Sequence, residues 1–247
     1  MTGRAAIILA AGEGKRMHSD LPKVLHRVAE RPLLRWVLDA VSGAGFERTV
    51  VVIGREAERI RQAVGAAGVE FVLQKERRGT GHAVLQTEPF LQDFDGSVVV
   101  LSGDVPLIRK ETLIDLVLRH EKKRAAATVV TAEMADPTGY GRIVRTPGGM
   151  IERIVEEKDA APAERKIREV NAGTYCFQAR ALFRALPFLS ADNAGGEYYL
   201  TDTIAVLREK GLPVFPFPIG DSWEVFGVNT QEHLRLLEER MKGRDDG

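Results

Sequence analysis

Gly12, Gly14, Lys15, Arg16 and Lys23 crowd into the first turn of the chain, directly after the apolar run Ile-Ile-Leu-Ala-Ala. Glycine lets the backbone approach an anion closely and adopt positive φ, so that successive N–H groups converge on phosphate oxygens while the cations balance the charge. The chemistry expected here is a polyphosphate cradle. Two familiar phosphate loops do not fit. A Walker loop needs glycine where Leu9 stands and Ser or Thr where Arg16 stands. A dinucleotide fingerprint fits Gly12 and Gly14 but needs a third small residue at Met17, and no suitable acidic residue ends the next strand near residues 50–53.

Further chemistry-bearing residues follow other apolar runs. Gln74 opens the polar stretch Gln-Lys-Glu-Arg-Arg-Gly-Thr-Gly-His-Ala, and Ser102-Gly103-Asp104-Val105-Pro106 follows Ser-Val-Val-Val-Leu. Such positions, just past the carboxyl ends of strands, are where open α/β sheets bind ligands. Taken singly, Asp104 reads as a turn or cap residue, Asn229 as a helix N-cap, and Glu156 as part of a solvated Glu-Glu-Lys-Asp run.

The elements that must position these residues follow from periodicity. Strands are expected at residues 5–10, 49–53, 70–73, 97–101 and 126–131, with helices beginning at Pro32, near residues 56–64 and at 110–120, the β-α-β rhythm of a doubly wound, mostly parallel sheet. Residues 136–144 and 151–156, around Pro147-Gly148-Gly149, read as short antiparallel strands of a small substrate lobe. Residues 170–177 return to a strand, and a helix through Lys210 follows residues 193–202. Alternating prolines confine residues 214–218 to an edge strand. A last helix, capped by Asn229 or Thr230, carries the stripe Leu234, Leu237 and Met241 before the charged tail 243–247.

Composition bounds the rest. The 247 residues hold 35 basic and 35 acidic side chains and 44% apolar residues, which suits a globular α/β protein and argues against a general nucleic-acid or membrane surface. No long apolar span and no signal-like h-region occur, so a cytoplasmic location is expected. Cys176, the single cysteine, reads as a small buried hydrophobe on a strand. No internal or hexapeptide repeat is visible.

Five separated motifs, at residues 9–23, at 74–83, at 103–108, at 136–143 with 154–158, and at 169–173 with 197–202 and 227–229, together resemble the uridylyltransferase (pyrophosphorylase) domain of bacterial N-acetylglucosamine-1-phosphate uridylyltransferases, within the sugar-nucleotide pyrophosphorylases. The resemblance implies a Rossmann-like, GT-A-like nucleotidyltransferase domain at residues 1–229 and a helical arm and tail at 230–247; without hexapeptide repeats, no β-helix acetyltransferase domain is expected within these residues.

It also implies roles. Leu9, Ala10, Ala11 and Gly12 would hold uridine and phosphate through backbone groups, and Arg16 and Lys23 would hold the triphosphate. Gln74 would read the uracil edge, helped by Gly79 and Thr80. Ser102 and Gly103 would line the site, and Asp104 and Asn229 would hold Mg²⁺. Gly141, Glu156 and Asn171 would bind the amino sugar. Arg16, Lys23 and Asp104 are the implied catalytic residues, and UTP and N-acetylglucosamine 1-phosphate the implied substrates. A phosphate monoester is already ionised at neutral pH, so His18, His26, His82, His120 and His233 read as loop, packing or surface residues. Ser102 replaces a common aromatic and Arg77 a common glutamine, which keeps open a relative using glucose 1-phosphate or another nucleobase. A non-catalytic sugar-nucleotide sensor is the alternative of a different kind.

Overall fold

The β-branched runs become the strands of one twisted sheet. The structure, a computed structural model, describes residues 3–65 and 68–245. In chain order the strands are β1 (Gly3–Ala10), β2 (Arg27–Val28), β3 (Arg31–Pro32), β4 (Arg48–Ile53), β5 (Val69–Leu73), β6 (Gly96–Ser102), β7 (Ala127–Glu133), β8 (Arg142–Arg145), β9 (Ile151–Val155), β10 (Glu169–Gln178) and β11 (Val214–Pro218). The α-helices are α1 (Leu33–Gly43), α2 (Ala57–Val64), α3 (Thr80–Leu85), α4 (Glu88–Leu91), α5 (Lys110–Lys122), α6 (Ala179–Ala185), α7 (Asp202–Glu209) and α8 (Gln231–Asp245).

The main sheet runs β11-β7-β10-β6-β1-β4-β5. β1 pairs in parallel with β4 and β6, and β4 with β5. Alternation along β1 splits the core in two: Ala6 and Ile8 join a cluster with Leu34, Val37, Ile60 and Leu113, whereas Ala5 and Ile7 join one with Val84, Leu91, Leu182 and Ile204. Helices α1, α2 and α5 thus cover one face and α3, α4, α6 and α7 the other. Each fully buried Val, Leu or Ile in these layers contributes roughly 1.5–3 kcal/mol of transfer free energy.

The doubly wound, mostly parallel sheet with a small antiparallel lobe is therefore what the chain adopts. One strand departs from parallel order: β10 lies antiparallel between β6 and β7, in the middle of the sheet. Its reversal brings the start of β10, with Asn171 opposite Thr131 of β7, to the same edge as the carboxyl ends of its neighbours. β11 is an edge strand, as its prolines require, pairing with β7 alone. Cys176 is fully buried on β10.

Two local expectations change. The strand expected from residue 136 begins only at Arg142, because Thr138 N–H donates to the Asp136 carboxylate at 3.0 Å and Gly139 takes φ 84°, which turns the chain. Of the two possible caps for α8, Thr230 serves: its Oγ1 accepts from His233 N–H at 3.1 Å, leaving Asn229 for other contacts. α8 extends into the expected tail as far as Asp245, while Asp246 and Gly247 lie outside the described residues.

α8 packs on the sheet domain. Leu237 is fully buried in a small cluster with Met17, Val28, Leu33, Leu107 and Val228, flanked by Leu234 and Met241. Leu237→Ala is expected to lower unfolding free energy by roughly 2–5 kcal/mol in urea denaturation; a loss within experimental error would mean that α8 does not stabilise the domain.

Candidate active site

The glycine loop after β1 positions its lysine through sterics. Gly14 has φ 66°, and a Cβ placed there would lie 2.7 Å from the Lys23 Cβ, so a side chain at 14 is doubly disfavoured. Arg16 lies in a short 3-10 turn and Lys23 opens another, just after Pro22. Leu9 and Ala10 remain ladder residues of β1, and the Leu9 carbonyl accepts from Gly103 N–H at 2.9 Å. The backbone outside the sheet begins at Ala11.

β6, through Ser102 and Gly103, delivers Asp104 to the same edge, where it is 5% exposed. The Asp104 carbonyl accepts from Val228 N–H at 3.0 Å, which ties the chain before α8 beside it. The Asn229 amide donates to Gly227 O at 3.3 Å, so its oxygen faces the other way. There the Lys23 ammonium donates to the Asp104 carboxylate and to Asn229 Oδ1, the latter at 3.1 Å, and Arg16 reaches the same Oδ1 at 3.2 Å. The four residues assigned to triphosphate and metal are thereby gathered at one point. Arg77, the cation in place of a glutamine, pairs with Glu13 across the loop, and Lys15 meets Glu13 at 3.3 Å. Arg27 instead donates to Glu30 O at 3.0 Å within its own turn.

A second group surrounds Gln74, which is 4% exposed. Its amide nitrogen lies 3.1 Å from Gly79 O and 3.1 Å from His82 Nδ1. Gly79 has φ 107°, and a Cβ there would meet Tyr198 O at 2.5 Å. The contact is close because Tyr198 N–H donates to Arg78 O at 2.7 Å and Gly81 N–H to Tyr198 O at 2.8 Å. Thr80 Oγ1 accepts from Leu200 N–H at 2.9 Å, so this hydroxyl fastens the same segment.

Gly141, Glu156 and Asn171 form the third group. A Cβ on Gly141 would lie 3.1 Å from Ile154 Cγ2, 3.5 Å from Glu156 Oε2 and 3.6 Å from the Asn171 Cβ, so the glycine sits closely among the three. Asn171 donates to the Tyr175 hydroxyl at 2.6 Å and accepts from Gly173 N–H at 3.1 Å. Glu156 accepts from the Thr201 hydroxyl at 3.0 Å. Tyr140 precedes Gly141 in the chain, and burial first and the Asp104 charge second raise its pKa.

Sequence reasoning missed the supporting residues. His82, Thr201, Tyr175 and Tyr198 each hold an assigned residue; His82 lies inside the 74–83 motif and Tyr198 and Thr201 inside 197–202, whereas Tyr175 lies outside every motif. Of the remaining histidines, His18 is exposed in its turn and His26 is buried; His120 bonds Thr128 at 3.0 Å and burial lowers its pKa to about 4, while His233 packs on Phe226 with Nδ1 3.1 Å from Gly227 O.

A parallel-strand edge with a glycine loop, converging cations and an acidic oxygen pair is the architecture of a nucleotide-handling transferase. The chain belongs to the family described as Nucleotidyl transferase, which it matches over residues 5–228. It is 49% identical over 244 residues to "Bifunctional protein GlmU" of Halalkalibacterium halodurans, covering 99% of this chain and 53% of that one. It is 50% identical over 241 residues to the protein of that name from Pelotomaculum thermopropionicum, covering 97% and 52%. The chain thus spans about half the length of these relatives. A solved UDP-glucose pyrophosphorylase complexed with UDP-glucose shares the fold, with TM-score 0.77 at 18% identity over 99% of this chain and 100% of that one. Among the described residues, no helix is long and apolar enough to cross a membrane.

Glu156 provides a test of the electrostatics. Burial, the largest cause, raises its pKa; the Thr201 hydrogen bond opposes this, and Asp202, Asp159 and Glu197 add to it. A carboxyl with a raised folded pKa stabilises the fold when protonated, and that contribution is lost as pH rises from the ordinary Glu value through the raised one. Glu156→Gln is therefore expected to melt at or above wild type near pH ~8, the difference fading toward pH ~4. A lower melting temperature at the higher pH would show that the ionised carboxylate is stabilising.

Proposed function

We propose that this protein transfers uridylyl from UTP to N-acetylglucosamine 1-phosphate, releasing pyrophosphate. The observation that carries the reading is the meeting of Lys23, Asp104, Asn229 and Arg16 at one point beside the glycine loop. In the reaction a sugar-phosphate oxygen attacks the α-phosphorus of UTP. The bond from that phosphorus to the bridging oxygen breaks, and pyrophosphate leaves with the electron pair.

Both reactants are anionic, so positioning and charge neutralisation dominate, and no general base is required. Lys23 and Arg16 bind and orient the triphosphate. The amides from Ala11 through Gly14 lie where they can receive phosphate oxygens. Gln74 faces the base, and Glu156 and Asn171 accept from and donate to the sugar and its acetamido group. Residues 1–229 form the catalytic unit, with α8 packed on it.

A divalent metal fits the donor set. The Asp104 and Asn229 oxygens already converge on one ammonium cation, and a hard ion takes just such oxygens with phosphates and water completing its shell. We assign that role to Mg²⁺, which when bound neutralises the phosphates and polarises the reacting phosphorus.

Pyrophosphate release is expected with UTP, N-acetylglucosamine 1-phosphate and Mg²⁺, and a panel with glucose 1-phosphate and other nucleotides ranks the substrates. No turnover with any sugar 1-phosphate would overturn the reading. Lys23→Ala and Asp104→Ala are each expected to cut kcat by on the order of 10² or more with circular dichroism unchanged. A near-wild-type rate in either would place the chemistry elsewhere.

A further inference from the structure

The amide of Gln74 can stand in two orientations of nearly the same shape, one offering oxygen to a ligand and the other nitrogen, and only its surroundings decide between them. One neighbour is unambiguous. The Gly79 carbonyl, 3.1 Å from the amide nitrogen, can only accept, so the nitrogen belongs on that side. That carbonyl is itself immobilised, because Gly79 at φ 107° is pressed against the Tyr198 backbone. The second amide hydrogen then needs an acceptor, and His82 Nδ1 lies 3.1 Å away.

We propose that His82 is a specificity-determining residue, holding Gln74 with its amide oxygen toward the nucleobase so that the site selects a base with a ring N–H. The inference rests on the reading of Gln74 as the base-contacting residue. Nδ1 must be unprotonated to accept, which places the hydrogen on Nε2, 3.3 Å from the Gln86 amide nitrogen that donates to His82 O at 3.2 Å; Gln86 is only half-buried and can turn its amide to relieve that contact, whereas the buried Gln74 amide cannot. Desolvation, with the Arg78 charge adding and Glu76 opposing, lowers the His82 pKa and keeps the ring neutral near pH ~7. Uracil presents a ring N–H donor at N3 and satisfies the amide oxygen. Cytosine presents a lone pair at the corresponding nitrogen, so two acceptors would face each other. Leaving a buried acceptor unmatched separates the two bases by roughly 10- to 100-fold in affinity. Without His82, the amide loses one of the two contacts that oppose its rotation.

The test uses the full chain, with UTP and CTP affinities measured by calorimetry in the presence of Mg²⁺ and with steady-state KM for each substrate. His82→Leu is expected to weaken UTP binding and to reduce UTP-over-CTP discrimination, each by about tenfold, while KM for the sugar 1-phosphate does not move. His82→Asn carries a side-chain oxygen close to the position of Nδ1 and is expected to restore most of the discrimination. Gln74→Ala separates the two levels of the argument. If Gln74→Ala abolishes discrimination but His82→Leu leaves it intact, the proposal fails and the base-reading role of Gln74 stands. If Gln74→Ala also leaves discrimination intact, Gln74 does not read the base and both fail. Equal loss for UTP, CTP and sugar phosphate in His82→Leu, unrelieved in His82→Asn, would reduce His82 to a packing residue and overturn the proposal.

Discussion

The Lys23 ammonium, held between the carboxylate of Asp104 and the amide oxygen of Asn229, is the interaction on which the site depends. It joins residues 81 and 206 positions apart in the chain, from three different segments. A pair in which Asp104 is 5% exposed loses much hydration on folding, and it persists only where geometry and further hydrogen bonds offset that loss. The local backbone supplies the geometry. Gly14 makes room for the lysine, Gly103 anchors the acidic turn to β1, and Val228 bonds the Asp104 carbonyl. The same arrangement concentrates positive charge beside a pair of oxygens that suit a hard cation.

Residues 197–202 connect the Gln74 and Glu156 groups. At one end Tyr198 is clamped against Gly79 and Gly81, next to Gln74; a few residues on, the Thr201 hydroxyl bonds Glu156. The Gln74 group and the Glu156 group are therefore linked by a short stretch of backbone rather than by a long path through the core. The reversed strand β10 serves the same end. Running antiparallel between β6 and β7, it presents Asn171 at the edge where the parallel strands present their loops.

α8 is anchored rather than free, and its anchorage bears on the site. Leu237 packs with Met17, which lies in the same short turn as Arg16, and Gln231 donates to Met17 O at 3.0 Å. The start of this helix also follows directly on Asn229, so the apolar stripe, the cation turn and the amide oxygen share one mechanical support.

The sequence by itself determined most of the local structure. Apolar runs of β-branched residues dictate strands, prolines confine β11 to an edge, and glycines beside cations dictate an anion-binding turn, because these effects act over a few neighbouring residues. Asp104 and Asn229 were legible only through resemblance, since singly each is an ordinary turn or cap residue. Tertiary structure alone decided the antiparallel insertion of β10, the choice of Thr230 over Asn229 as cap, and the second set of contacts at His82, Tyr175, Tyr198 and Thr201. Each of these depends on pairing between segments far apart in the chain. Whether a hydroxyl or ring nitrogen becomes a partner is set by which strands and loops the hydrophobic layers bring within about 3 Å, and that distance is not encoded in the spacing of residues along the chain.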